Sequence, residues 1–204
     1  MLSNFTAIDI VYLLITIIIS LSIHEAMHAY VGFKLGDSTA HDAGRISLNP
    51  LRHIDPFTTV LLPLITLVLF HVPVLAAKPV PFNPHRVKYG EFGGALIALA
   101  GPVSNFVLAL LAAVILRFVS SSGSLTDFLD LFAILNVALF VFNILPIPPL
   151  DGSRVLYAFA PEAVQEFMQA IEPYGLFIIF GLILTGVLTP LLVHLNNAVL
   201  QILP

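Results

Sequence analysis

Residues Ile8–Phe33 read IDIVYLLITIIISLSIHEAMHAYVGF, a run that is almost wholly apolar until His24, Glu25 and His28 interrupt it. The hydrocarbon core of a bilayer is crossed by about 20 helical residues, so the run is long enough to span one. A helix places residues four apart on one face, which aligns the two imidazoles and sets Glu25 close beside them. Ionisable side chains at membrane depth cost about 3 kcal/mol each on insertion scales, so they mark a functional site rather than filler.

Composition extends that reading to the whole chain. Of 204 residues, 58% are hydrophobic and 10% are charged, whereas a soluble domain carries about a quarter charged residues. The chain belongs in a membrane, and residues 1–204 are expected to form a single domain of several spans. A net charge of −4 without basic runs excludes nucleic acid as an expected partner. No cysteine is present, which removes disulfides and thiolate metal sites, so any metal must be held by His and carboxylates. The first segment exceeds a signal peptide's apolar region and lacks a basic start; it is read as retained.

Four stretches have the length and apolarity of full spans: 8–33, 92–119, 128–145 and 176–195. A fifth, Phe57–Leu75, is shorter and contains Pro63 and Pro73. It is followed by Ala76–Gly90, AAKPVPFNPHRVKYG, whose prolines oppose helix and favour extended backbone. Seven of the eight basic residues, all but Arg117, fall in three loops. The positive-inside rule puts those loops in the cytoplasm and the N-terminus outside. Both loops flanking Phe57–Leu75 are basic, so this stretch enters and leaves on one side, as a re-entrant helix and extended segment over about 57–84. Non-helical backbone at that depth requires a protein or watery surrounding, as an active site provides. Val164, Phe167, Met168 and Ile171 repeat at helical spacing, which predicts a surface amphipathic helix over about 161–172. The expected fold is an all-α polytopic membrane protein with about four full transmembrane helices plus the re-entrant segment.

His-Glu-x-x-His on a helix is the arrangement in which two imidazoles bind zinc and the glutamate acts as general base. Catalytic zinc takes three protein ligands and keeps a fourth position open. Val31 and Lys34 stand where a metzincin needs glycine and its third histidine, so that class fails. Glu91, Glu162, Glu166 and Glu172 all lie in loops or at the surface. Asp151 is the better third ligand: it follows NILPIPPL at the end of a span, at the depth of the His pair, where prolines stop the helix. His53, beside Asp55, could touch the site, although the solvated-loop reading stands ahead of that one, and His41, His71, His85 and His194 are read as loop or interfacial residues.

HEAMH in the first span, GPVSN at Gly101–Asn105 and NILPIPPLDG at Asn143–Gly152 resemble, in order, the signatures of the site-2 proteases, polytopic intramembrane zinc metalloproteases. The likeness extends to Gly44–Pro50 and Ala77–Asn83, and runs from about Leu21 to Tyr174 as a small form without PDZ or CBS domains. The resemblance implies one zinc per chain held by His24, His28 and Asp151, with Glu25 as base. It also implies Asn105 and Asn143 near the reaction centre, although hydrogen-bonding glue between helices suits both nearly as well. The implied substrates are transmembrane segments of other proteins, which must be locally unwound to be cut. Lys78, Pro79, Val80, Pro81 and Phe82, in extended chain with unused carbonyls, are expected to present an edge for strand addition.

Two other readings use the same residues. A metal transporter or metal sensor would need a polar path across the bilayer, whereas the outer halves of the spans read as apolar. A silent relative that binds membrane proteins without cutting them would lack a ligand or base, and none is missing.

Overall fold

The computed structural model of the chain describes residues 6–53, 61, 80–119 and 122–204. The first helix, α1, runs Ala7–Lys34. Thr6 and Asp9 cap it reciprocally: the Thr6 side chain accepts from Asp9 N–H, and the Asp9 carboxylate accepts from Thr6 N–H. Its 28 residues reach roughly 42 Å, more than the thickness of a hydrocarbon core. It stops at Gly36, whose φ of +103° ends a helix at little cost. The burial pattern is inside-out relative to a soluble helix. Ile8, Ile15, Ile18 and Ile19 are exposed, while Thr16, Ser20, Ser22, His24, Glu25 and His28 are buried. Lipid receives the aliphatic face and the protein interior receives the polar one.

A short turn, α2 (Thr39–Asp42), and a 3-10 turn at Pro50–Arg52 follow. Two long helices come next, α3 (Gly90–Leu116) and α4 (Ser124–Asn143). The interior face of α3 carries Gly93, Ala95, Ala98, Gly101, Ala109, Ala112 and Ala113. Small residues let backbones approach closely, which is how helices associate where lipid offers no hydrophobic drive. Accordingly α3 is the hub, packed against α1, α4 and α5 (Asp151–Phe159). Ala109, Val137 and Val141 form one buried cluster between α3 and α4; Ala112, Leu129, Phe132 and Ala133 form another.

The expected spans at 8–33, 92–119 and 128–145 correspond to α1, α3 and α4. The C-terminal region differs from expectation. Helix α6 (Glu162–Ile171) continues through a 3-10 turn at Glu172–Tyr174 into α7 (Gly175–Leu184), so the fourth helical path long and apolar enough to cross is Glu162–Leu184. The helix predicted over 161–172 is present as α6, and it forms the first part of that path. Of its apolar stripe Met168 is buried, whereas Phe167 remains 62% exposed. The predicted span over 176–195 is interrupted: Gly186 takes φ +73°, and a new helix, α8, runs Leu188–Ile202. A positive φ is incompatible with continuing a right-handed helix, and glycine adopts it freely. The re-entrant segment expected over 57–84 lies largely outside the described residues; from 80 to 83 the chain has no regular structure, and a 3-10 turn covers Pro84–Arg86.

The loop after α1 is tied to this last segment. Asp37 is 1% exposed; one carboxylate oxygen accepts from Thr39 N–H and its hydroxyl, the other from Asn83 N–H at 2.6 Å. Lys88 N–H donates to Leu35 C=O at 2.9 Å. Burial pushes the Asp37 carboxyl up, but the bonds from Thr39 and Asn83, with the charge of Arg86, hold it below the ordinary carboxylate range.

Candidate metal centre

Three ligand atoms converge where α1, α3 and α5 meet. His24 Nε2 and His28 Nε2 lie 3.0 Å apart, and Asp151 Oδ2 is 3.2 Å from the first and 3.3 Å from the second. Zinc with nitrogen and oxygen ligands at about 2.0–2.2 Å in a tetrahedral array separates those ligands by about 3.3 Å, so the triangle fits the ion. Among the described residues, this is the group of three His and carboxylate side chains able to hold a metal.

Hydrogen bonding fixes which ring nitrogens face the centre. Ile97 C=O can only accept, so His28 Nδ1, 2.7 Å away, carries the proton. Asn105 Nδ2 donates to Asn136 Oδ1 at 2.9 Å, which leaves Asn105 Oδ1 to accept from His24 Nδ1 at 2.6 Å. Asn136 Nδ2 in turn donates to Phe132 C=O. In their neutral form both imidazoles then turn Nε2 lone pairs toward Asp151 Oδ2, a buried carboxylate oxygen. Three electron-rich atoms held together in a water-poor interior call for a cation.

Two glycines make the approach possible. A Cβ on Gly101 would lie 2.3 Å from His28 Nε2 and 2.6 Å from His24 Nε2, close to metal-bonding distance. Any side chain at 101 would compete for the ion's ground. A Cβ on Gly152 would fall 2.0 Å from Ile144 C=O, so glycine there lets α5 begin against the end of α4 and bring Asp151 inward.

Not every expected site residue converges. Glu25, 8% exposed, shares α1 with the His pair. Asn105 joins His24, whereas Asn143 donates to Leu139 C=O within its own helix and makes no hydrogen bond to the three ligands. Lys78 and Pro79 lie outside the described residues; Val80, Pro81 and Phe82 have no regular structure. His53 departs from the solvated-loop reading, being 4% exposed. His41 is exposed, stacked on Phe33 and paired with Asp42. Asn136, the anchor behind Asn105, was not singled out from the sequence. Its signal was there: an amide in the middle of an otherwise apolar span.

Comparison with known proteins places the chain in a lineage. The family model described as Peptidase family M50 matches residues 119–186, the part that contributes Asp151. The protein named "Putative zinc metalloprotease YwhC" from Bacillus subtilis (strain 168) is 37% identical over 204 residues, covering 94% of this chain and 90% of that protein. Two relatives of the same designation are Rip2 from Mycobacterium tuberculosis (strain ATCC 25618 / H37Rv), 31% identical over 82% of this chain and 63% of its own length, and MJ0611 from Methanocaldococcus jannaschii, 30% identical over 75% and 73%. No solved structure matches. The chain belongs to peptidase family M50, the site-2 protease family of membrane zinc metalloproteases. Its cofactor is zinc, and the donor set of two imidazoles and a carboxylate suits that ion.

Proposed function

We propose that the chain is an intramembrane endopeptidase that hydrolyses peptide bonds within transmembrane segments of other membrane proteins. The observation that carries this reading is the placement of Glu25, a buried carboxylate one residue along α1 from His24, beside a three-ligand metal centre. A transporter needs ligands but no base beside them.

Zinc, when bound by His24, His28 and Asp151, supplies Lewis acidity and lowers the pKa of water toward neutrality. Glu25 accepts the proton of the attacking water and delivers it to the leaving amine. Asn105, backed by Asn136, holds the His24 ring with Nε2 inward, and the Ile97 carbonyl does the same for His28. The reading takes residues 1–204 as one catalytic unit with the basic loops in the cytoplasm, the N-terminus outside and the centre nearer the cytoplasmic face, as the distribution of Lys and Arg supports. It takes the chain over 78–82 as the edge against which an unwound substrate lies, and the tie between Asp37 and Asn83 as its anchor.

The test is Glu25→Gln in purified protein reconstituted with a labelled transmembrane peptide. The amide keeps the shape but cannot take the proton, so zinc content should stay at one per chain while cleavage falls at least 1000-fold, within the range general bases supply. Turnover near the wild-type rate would remove Glu25 from the role of base.

A further inference from the structure

The loop over 43–53 is organised by its own hydrogen bonds and packs its 3-10 turn against α1. Arg45, buried, donates from Nη1 to Arg52 C=O, and Leu51 N–H is taken by Asn49 Oδ1. His53 closes this loop. Its Nε2 stands 2.7 Å from Ser47 C=O, and since a carbonyl only accepts, that nitrogen carries the proton. In the neutral ring Nδ1 is then an acceptor. It is buried and has no hydrogen-bond partner among the described residues.

A buried acceptor left open disfavours folding, and such groups are rare unless something fills them for part of the time. His53 also stands within electrostatic range of Glu25. A peptide unwound at the site brings the complementary group: its backbone N–H groups have left their helix and find little water at that depth. We infer that His53 is a further substrate-binding residue, whose Nδ1 accepts a hydrogen bond from a backbone N–H of the peptide held at the metal centre. This rests on the proposed peptidase reading and adds the class of group recognised. Any peptide offers an N–H, so His53 contributes to holding extended chain and not to side-chain choice.

Two substitutions separate that role from the loop's architecture. His53→Gln keeps a donor near the position of Nε2, and so the tie to Ser47, but removes the Nδ1 acceptor. His53→Asn places an amide oxygen near Nδ1 and gives up the tie. Binding is read first, in full-length protein carrying Glu25→Gln, by titrating a fluorescent transmembrane peptide. Adding His53→Gln should weaken binding about tenfold, the worth of one neutral hydrogen bond. Adding His53→Asn should weaken it less, although its melting temperature should be the lower of the two. In active protein the same loss should enter KM, with kcat changed less than about threefold, because the bond is made in ground and transition states alike. If the Gln variant binds as tightly as its parent, or if the Asn variant is the worse in both binding and melting temperature, His53 is a loop residue only and the inference falls. Failure of the peptidase reading shows separately: active-site-intact protein would then cleave no faster than Glu25→Gln, whatever stands at 53.

Discussion

The first long helix and the chain from Glu162 to Ile202 are both strongly apolar, yet they are built differently. Helix α1 runs unbroken, turns its aliphatic residues outward and keeps imidazoles, a carboxylate and hydroxyls inside. The C-terminal chain divides at Gly186 and leaves Phe177, Leu184, Val187 and Val193 exposed. Its fully buried apolar residues are few, Met168, Ile179 and Leu188, while Leu182, Leu192, Leu195 and Leu200 pack half-buried against the interior clusters. Average hydropathy ranks these regions together; what separates them is which residues are polar and where they recur. A polar residue at four-residue spacing in an apolar helix points to a protein neighbour, whereas uniform apolarity leaves both packing and continuity open.

The sharpest way to break that contrast is at the contact of α1 with α3. Gly101→Ala should abolish zinc binding, with at least a hundredfold loss of affinity, because its Cβ would press on both imidazole nitrogens. Elemental analysis of the purified variant reads this directly, and stoichiometric zinc would mean that the helices sit farther apart than described. Behind the ligands the effect should be smaller. Asn136→Ala should lower zinc affinity about 10- to 100-fold by freeing Asn105, and Asn105→Ala should cost a similar amount. The double variant should lose little more than Asn105→Ala alone, since both act on His24 through one path. Additive losses in a chelator competition would show two independent routes.

At the cytoplasmic end of α1, as the orientation is proposed, the expected effect is on stability and depends on pH. The folded state holds the Asp37 carboxyl below its ordinary range, so its contribution is complete above the unfolded value of about 3.9 and is lost as pH falls through the lower folded one. Melting curves from pH 7 to pH 3 should fall more steeply for wild type than for Asp37→Asn below about pH 5; parallel curves would remove Asp37 as the anchor of Asn83. The smallest effect belongs to the C-terminal break. Gly186→Ala should cost about 1 kcal/mol from the positive φ and leave zinc content unchanged. A loss of zinc there would couple the two regions that the comparison separates.

How much of this was legible beforehand follows the same division. His24, Glu25 and His28 were legible because helical spacing fixes their mutual geometry. Asp151 was legible because Pro146, Pro148 and Pro149 end a helix at the depth of the His pair. The role of Ile97 was not, since a backbone carbonyl leaves no trace in residue type. The burial of His53 was hidden too, because it follows from bonds from Arg45 and His53 to main-chain oxygens within one polar loop. The break at Gly186 was written as Thr185-Gly186 but outweighed by apolar residues on both sides. The re-entrant segment falls mostly outside the described residues.

His28 and Asp151 meet at 3.3 Å although 123 residues separate them along the chain, with α3 and α4 between. During synthesis at roughly 5–20 residues per second, the histidines wait about 6–25 s for the carboxylate that completes their set. Throughout that interval the base proposed at Glu25 has no finished centre beside it. In the proposed peptidase, the ordering of ligands along the chain therefore delays completion of the centre until α3 and α4 have been made.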